Sequence, residues 1–230
     1  MIVSVVIPAL NEQQTIADVV SEIPSALATE IIVVDNGSTD LTAQHARNAG
    51  ARVVTEPRAG YGRACRAGFE AVAPDCDIVV FLDGDGSDCP ELMDQLVGPI
   101  FAGTHDFVIG SRIRGHREKG SMNFQQIVAG RVAGFLLRVL YGVRYTDMCP
   151  FRAIRYDSLK SLGMREETYG WNLEMQMRAA RAGLRILEVP VSHRRRAGGE
   201  SKVSGNIRAT FLAAGRILTT LMKVSLERSI

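Results

Sequence analysis

Short apolar runs alternate along the first half of the chain with stretches whose apolar residues recur every three or four positions. Ile2–Ile7, Glu30–Val34, Arg52–Thr55, Ile78–Leu82 and Asp106–Gly110 read as strands. The segments near Glu12–Ile23, Leu41–Asn48, Gly62–Ala71 and Pro90–Phe101 read as helices. Asp40 stands where the second helix needs a cap, and Pro90 takes the first turn of the fourth. Several runs are apolar throughout rather than alternating, which marks strands buried on both faces. Strand–helix alternation with short links predicts an α/β fold with a mostly parallel central sheet and helices on both faces. Right-handed crossovers would gather the strand ends at one edge. That edge would hold Pro8–Glu12, Asp35–Ser38, Asp83–Asp85 and Ser111-Arg112.

The second half is less regular. Phe124–Tyr141 predicts a helix with a broad apolar face (Ile127, Val128, Phe135, Leu136, Val139) and two arginines, Arg131 and Arg138. Phe151–Arg155 and Leu184–Val189 read as strands, and Trp171–Ala182 as a helix. His193–Gly205 is a basic loop containing glycine. Asn206–Glu227 predicts a final amphipathic helix, with Arg208, Arg216 and Lys223 opposite Ile207, Phe211, Leu218 and Leu221.

Composition narrows the class. The 230 residues are 46% apolar, enough for a substantial core. A formal charge of +2 does not call for nucleic acid as a partner. Four cysteines without a C-x-x-C pair indicate neither a zinc site nor a disulfide framework. The sequence opens directly on a strand pattern, and no apolar window reaches the roughly 18 residues of a spanning helix. The expectation is a reduced, cytoplasmic protein, with a peripheral position on the cytoplasmic membrane left open.

The chemistry concentrates after the fourth strand. Asp83-Gly84-Asp85-Gly86 puts two carboxylates on a glycine-eased turn at the sheet edge where α/β folds bind ligands. Two hard oxygen ligands suit Mg²⁺ or Mn²⁺, with diphosphate oxygens completing the shell. The plainer alternative is a turn that caps the next helix, but Asp88 before Pro90 is placed to do that. Glu12 follows Pro8 and Leu10 into a helix start, facing a nucleotide or simply favoured by the helix dipole. Asp35 ends the second strand, as an acceptor for ribose or base or as an Asx turn. Gly60-Tyr61-Gly62 only partly imitates a dinucleotide fingerprint and reads as a glycine-eased helix start. Arg194–Lys202 carries a Gly-Gly hinge and suits a lid over a diphosphate; a solvated or headgroup-facing surface is the alternative.

Together these stretches resemble family 2 glycosyltransferases of the GT-A fold, most closely the dolichyl- and polyprenyl-phosphate sugar synthases. The resemblance runs from Val5 to about Asn206. It rests on Val5–Glu12, Ile32–Asp40, Asp83-Gly84-Asp85, Gly110-Ser111-Arg112 and the Arg196–Lys202 loop, in that order. It implies a Rossmann-like GT-A domain over 1–205, with a nucleotide-sugar half to about 115, an acceptor half from about 116, and an amphipathic helix over 206–230. It implies a nucleoside-diphosphate sugar as donor, with base and ribose held by Pro8, Leu10, Glu12 and Asp35. Asp83 and Asp85 would bind Mg²⁺ or Mn²⁺, Asp85 directly. Arg112 would lie by a donor or acceptor phosphate, and Arg196 and Lys202 would close over the diphosphate. Ser87 replaces a longer polar side chain common in the closest members, and Gln125-Gln126 stands where those members are basic.

The implied reaction is inverting, metal-dependent transfer, with a polyprenyl phosphate on an anionic membrane surface as the leading acceptor. A hydroxyl acceptor would need a general base, for which Glu174 and Asp147 are the candidates. A nucleotide-sugar-binding module without turnover is the competing class. The donor base, the sugar and a homodimer are left open.

Overall fold

The structure, a computed structural model, describes residues 1–122 and 124–198. Lys202 and the helix expected over Asn206–Glu227 lie outside the described residues.

One seven-stranded sheet organises the fold, in the order β3-β2-β1-β4-β6-β5-β7. The strands are β1 (Val3–Ala9), β2 (Glu30–Asp35), β3 (Arg52–Thr55), β4 (Ile78–Phe81), β5 (Phe107–Ser111), β6 (Arg152–Arg155) and β7 (Ile186–Pro190). The helices are α1 (Ile16–Glu22), α2 (Thr42–Asn48), α3 (Tyr61–Ala71), α4 (Met93–Phe101), α5 (Phe124–Tyr141), α6 (Tyr156–Leu162) and α7 (Trp171–Arg181). A 3-10 turn at Pro90–Leu92 leads into α4.

The apolar runs occupy the places their composition dictates. Every residue of β1, β4 and β5 is buried. Val6 packs toward Gly68 of α3, while Ile7 lies beside Gly84 and Ile16 of α1. Successive strand residues point to opposite faces, so these two contacts put helices on both sides of the sheet. Gly68 permits the close approach of α3, since a Cβ there would lie 2.3 Å from Val6 Cγ1.

β6 is the departure from parallel order. It is inserted between β4 and β5 and runs antiparallel to both. The remaining pairs, β1 with β2 and β4, β2 with β3, and β5 with β7, are parallel. Strands from both halves of the chain therefore share one sheet. The carboxyl ends of β1, β2, β4 and β5 share an edge, as expected, and Arg152 at the start of β6 joins them there.

Other differences are local. The first helix starts at Ile16 rather than near Glu12. The amides of Glu12 and Gln13 donate instead to Thr42 Oγ1 and Asp40 Oδ2, so the chain turns before it coils. The Asp40 carboxylate also accepts the Thr42 amide at 3.0 Å at the start of α2. The last strand runs Ile186–Pro190, two residues later at its start than expected and with Pro190 as its final residue. The helix α6, only 7 residues long, was not expected.

Candidate active site

The carboxyl edge is stitched together by short polar side chains. Asn11, in the left-handed region at φ 55°, accepts the Thr39 amide on Oδ1 at 2.8 Å. Its own amide donates to Ser38 Oγ at 3.0 Å. Pro8 is buried in β1 and Leu10 half-buried just beyond it, on the loop that this stitching fixes. Asp35 accepts the Ser38 amide on Oδ1 at 2.9 Å, so the Asx turn is present, and it sits beside the 8–12 loop. Asn36 fixes the next loop by donating to the carbonyls of Glu56 and Arg58 and accepting the Gly60 amide.

The turn after β4 presents its two aspartates differently. Asp83 accepts from the Tyr61 hydroxyl on Oδ1 at 3.0 Å. Asp85 accepts both the Ser87 amide, at 2.9 Å, and the Ser87 hydroxyl, at 2.6 Å, on Oδ1. Ser87 thus orients Asp85. Burial pushes the Asp83 carboxyl well above its ordinary range, and the nearby charges of Asp88 and Asp85 push the same way. Relief of that repulsion is what a cation would bring. The donor set is all oxygen, which fits Mg²⁺ or Mn²⁺. Among the described residues no cluster of three or more His, Cys, Asp or Glu forms a metal cage.

Asp88 requires a correction. Its carboxylate does not cap the helix after it; Oδ2 accepts the Asp83 amide at 3.0 Å. The turn at Gly84 and Gly86, the latter at φ 75°, folds Asp88 back over the end of β4. Burial raises its carboxyl to about 7. His193 Nδ1 lies 3.8 Å from it, and burial lowers that imidazole to about 4, keeping it neutral.

The basic loop lies across this turn. The Arg194 amide donates to Ser87 O at 2.9 Å and the Ala197 amide to Asp85 O at 3.2 Å. Arg196 Nη1 donates to Asp85 Oδ2 at 3.1 Å, Nη2 to Glu12 Oε1, and Nε to Gly198 O at 2.6 Å. One guanidinium therefore joins the end of β1 to the end of β4.

Half-buried Arg112 and buried Asp147 form a separate pair. Arg112 Nε and Nη2 reach Asp147 Oδ2 and Oδ1 at 2.7 and 2.8 Å, a bidentate fork, and the Arg112 amide adds 3.0 Å to Oδ2. Burial pushes the Asp147 carboxyl up, but the charge and hydrogen bonds of Arg112 outweigh it and hold it below its ordinary value. Glu174 is buried in α7 and accepts the amides of Arg165 and Glu166 and the Arg178 Nε, at 2.7 to 3.1 Å. Both base candidates are thus engaged in holding other groups. The site brings together Glu12, Asp83, Asp85 and Arg196, with the Arg112 charge felt at Asp83. It does not draw Glu174 into that cluster. Tyr61, Asn36 and His193 were missed because nothing in their local sequence reports a partner so distant along the chain.

A model of glycosyl transferase family 2 matches residues 4–163. The chain belongs to that family. This glycosyltransferase is 38% identical over 213 residues to an uncharacterized glycosyltransferase of Mycobacterium tuberculosis, covering 92% of this chain and 94% of that protein. It is 34% identical over 228 residues to the dolichyl-phosphate hexose transferase of Haloferax volcanii, covering 97% of this chain and 94% of that protein. Among solved structures it resembles glucosyl-3-phosphoglycerate synthase of M. tuberculosis in complex with Mn²⁺, uridine diphosphate and phosphoglyceric acid. That match has a TM-score of 0.77 at 27% identity, over 99% of this chain and 80% of the other. The fold is GT-A.

Proposed function

We propose that this family 2 glycosyltransferase transfers a sugar from a nucleoside-diphosphate donor to a polyprenyl phosphate at a membrane surface, with inversion at the sugar carbon. The observation that carries the reading is the Asp83–Asp85 turn with the Arg196 loop lying across it at the sheet edge. Pro8, Leu10, Glu12 and Asp35 line the same edge and would hold base and ribose. Asp83 and Asp85 would hold Mg²⁺ or Mn²⁺, which when bound would neutralise diphosphate charge as a Lewis acid. Arg196 would turn from Asp85 toward the departing diphosphate and stabilise its growing charge. Lys202 would act with it.

The acceptor oxygen would form its bond to the sugar carbon as the bond to the diphosphate breaks, the electron pair leaving with the diphosphate. A phosphate oxygen is already anionic and needs no base. This agrees with Asp147 and Glu174, whose oxygens are committed to Arg112 and to the 165–166 amides. Arg112 would meet the acceptor or donor phosphate after release from Asp147.

The helix α5 supports a lipid acceptor. Its inner face packs closely: Gly134 lies so near the segment after α5 that a Cβ would be 2.0 Å from Tyr145 O, and Ala133 and Leu137 are buried beside it. Its outer face is apolar, with Phe124 79%, Phe135 66% and Val139 66% exposed and Val128 and Val132 on the same stripe. Arg131, Arg138 and Arg144 are exposed beside it. Among the described residues no helix is long and apolar enough to cross a membrane, so this face would lie in the headgroup region.

Two outcomes follow. With labelled uridine- or guanosine-diphosphate sugar, Mn²⁺ and polyprenyl phosphate in vesicles, label should enter the organic phase as a phosphate-linked sugar. Label transferred only to water-soluble acceptors would overturn the lipid acceptor. The protein should also sediment with anionic vesicles at low salt. Three arginines at about 1 kcal/mol each make that binding roughly a hundredfold stronger than to neutral vesicles, and high salt should erase the difference. Protein left in the supernatant with anionic vesicles at low salt would refute a membrane role for α5.

A further inference from the structure

We propose that Tyr61 is a positioning residue for Asp83, fixing the orientation in which that carboxylate meets the cation. The inference rests on the cation-binding role proposed above for Asp83 and Asp85.

The backbone of the turn that carries Asp83 is held, with the Asp83 amide on Asp88 Oδ2 at 3.0 Å and Gly84 O accepting the Thr15 hydroxyl at 2.8 Å, but no described group within the turn bonds the Asp83 carboxylate. The Asp83 side chain therefore needs an external partner to select one rotamer. The Tyr61 hydroxyl is that partner, donating to Oδ1 at 3.0 Å. Among the described residues Oδ2 has no hydrogen-bond partner, so the bond leaves one oxygen of Asp83 for a cation.

Tyr61 is itself held by backbone that arrives from the other half of the chain. It stands at the start of α3 between two glycines, and both are pressed against carbonyl groups. A Cβ at Gly60 would lie 2.4 Å from Glu167 O, and one at Gly62 would lie 2.2 Å from Glu166 O. The Arg63 amide donates to Glu167 O at 3.1 Å. Arg63 Nε and Arg66 Nη2 reach the Glu167 carboxylate at 3.0 and 3.1 Å. From the opposite side, Glu174 grips the amides of Arg165 and Glu166. The Gly60 amide is anchored on Asn36 Oδ1 at 2.8 Å. The glycines that imitate a dinucleotide fingerprint are thus explained by this contact. They let the 166–167 backbone dock on the first turn of α3 and set the reach of Tyr61.

A hydrogen bond to the back of a metal-binding carboxylate fixes its orientation, and removing such a partner typically costs 10–100-fold in metal affinity. The test is Tyr61→Phe, which removes one oxygen and keeps the ring. Calorimetric titration of UDP and of GDP, each with and without Mn²⁺, gives affinity and stoichiometry together. Stoichiometry counts the folded molecules, so affinity is read on those alone. Bound Mn²⁺ is followed in parallel by electron paramagnetic resonance.

The expected result is about tenfold weaker Mn²⁺ binding in the presence of nucleotide. Nucleotide affinity without Mn²⁺ should be unchanged, and the melting temperature should stay within a few degrees. A Tyr61→Phe protein whose Mn²⁺ titration superposes on that of the wild type would overturn the proposal. A wild-type protein that tightens neither nucleotide on adding Mn²⁺ would instead overturn the cation role of Asp83 and Asp85, and this proposal with it. The two failures are distinguished by which protein shows them.

Discussion

Asp85→Ala is expected to abolish the tightening of nucleotide by Mn²⁺ and to lower turnover about 10³-fold, roughly 4 kcal/mol of transition-state stabilisation. The fold should survive. Asp85 sits on a half-buried turn outside the strand itself, and its side chain bonds only Ser87 and Arg196 among the described residues. Its charge also works against burial of its neighbours, since Asp85 helps raise the carboxyls of both Asp83 and Asp88. Truncation relieves that repulsion while costing two bonds within the turn and one to Arg196. Circular dichroism and melting temperature should therefore stay close to wild type. Nucleotide affinity measured with and without Mn²⁺ decides the matter. A variant that still binds nucleotide more tightly on adding Mn²⁺ would remove Asp85 from the metal site.

Arg196→Ala is expected to lower kcat by about 10²-fold or more, the usual loss when a group that stabilises developing charge is removed. Among the described residues the hydrogen-bond partners of the Arg196 side chain are Glu12, Asp85 and Gly198. The Arg196 side chain is 23% exposed and the Asp85 side chain 16%, so solvent screens part of the attraction. A fold cost near 1 kcal/mol is the order expected for such a pair. The loop keeps its backbone anchors, from Arg194 to Ser87 and from Ala197 to Asp85. Mn²⁺ alone should bind at least as well as to wild type, because a fixed cation beside Asp85 has gone. The nucleotide should bind more weakly, because its diphosphate has lost a partner. Lysine at this position should restore only part of the rate, since an ammonium cannot reproduce the fork of a guanidinium. A large fall in melting temperature with normal turnover would make the loop a structural strap instead.

Much of this protein is legible in one dimension because its signals are local. A parallel strand buried on both faces must be apolar throughout, so β1, β4 and β5 are written in the sequence as unbroken runs. A turn at such a strand's end must change abruptly to glycine and polar residues, so Asp35, Asp83 and Asp85 stand out for the same reason. The rule that crossovers are right-handed then puts those ends at one edge without any structure. The resemblance to glycosyl transferase family 2 follows from the order of these same stretches.

What the sequence alone did not decide is what depends on partners far apart along the chain. Nothing near Arg152–Arg155 says that β6 will run against its neighbours, because direction follows from the path of the whole chain between α5 and α6. Asp88 carries an ordinary capping signature, and only the fold of the glycine turn swings its carboxylate back over the Asp83 amide. Glu174 and Asp147 look like free acids in sequence. Tertiary packing commits one to the 165–166 backbone and the other to Arg112. Phe124–Tyr141 shows apolar residues on more than one side, and periodicity cannot say which side faces the core. Gly134 marks the inner side, because the close contact with Tyr145 O admits no side chain; Ala133 and Leu137 are buried on that side, and Phe124, Val128, Val132, Phe135 and Val139 are left facing outward. Tyr61 reads as a helix-start residue until the 166–167 backbone, more than a hundred positions later, presses it toward Asp83.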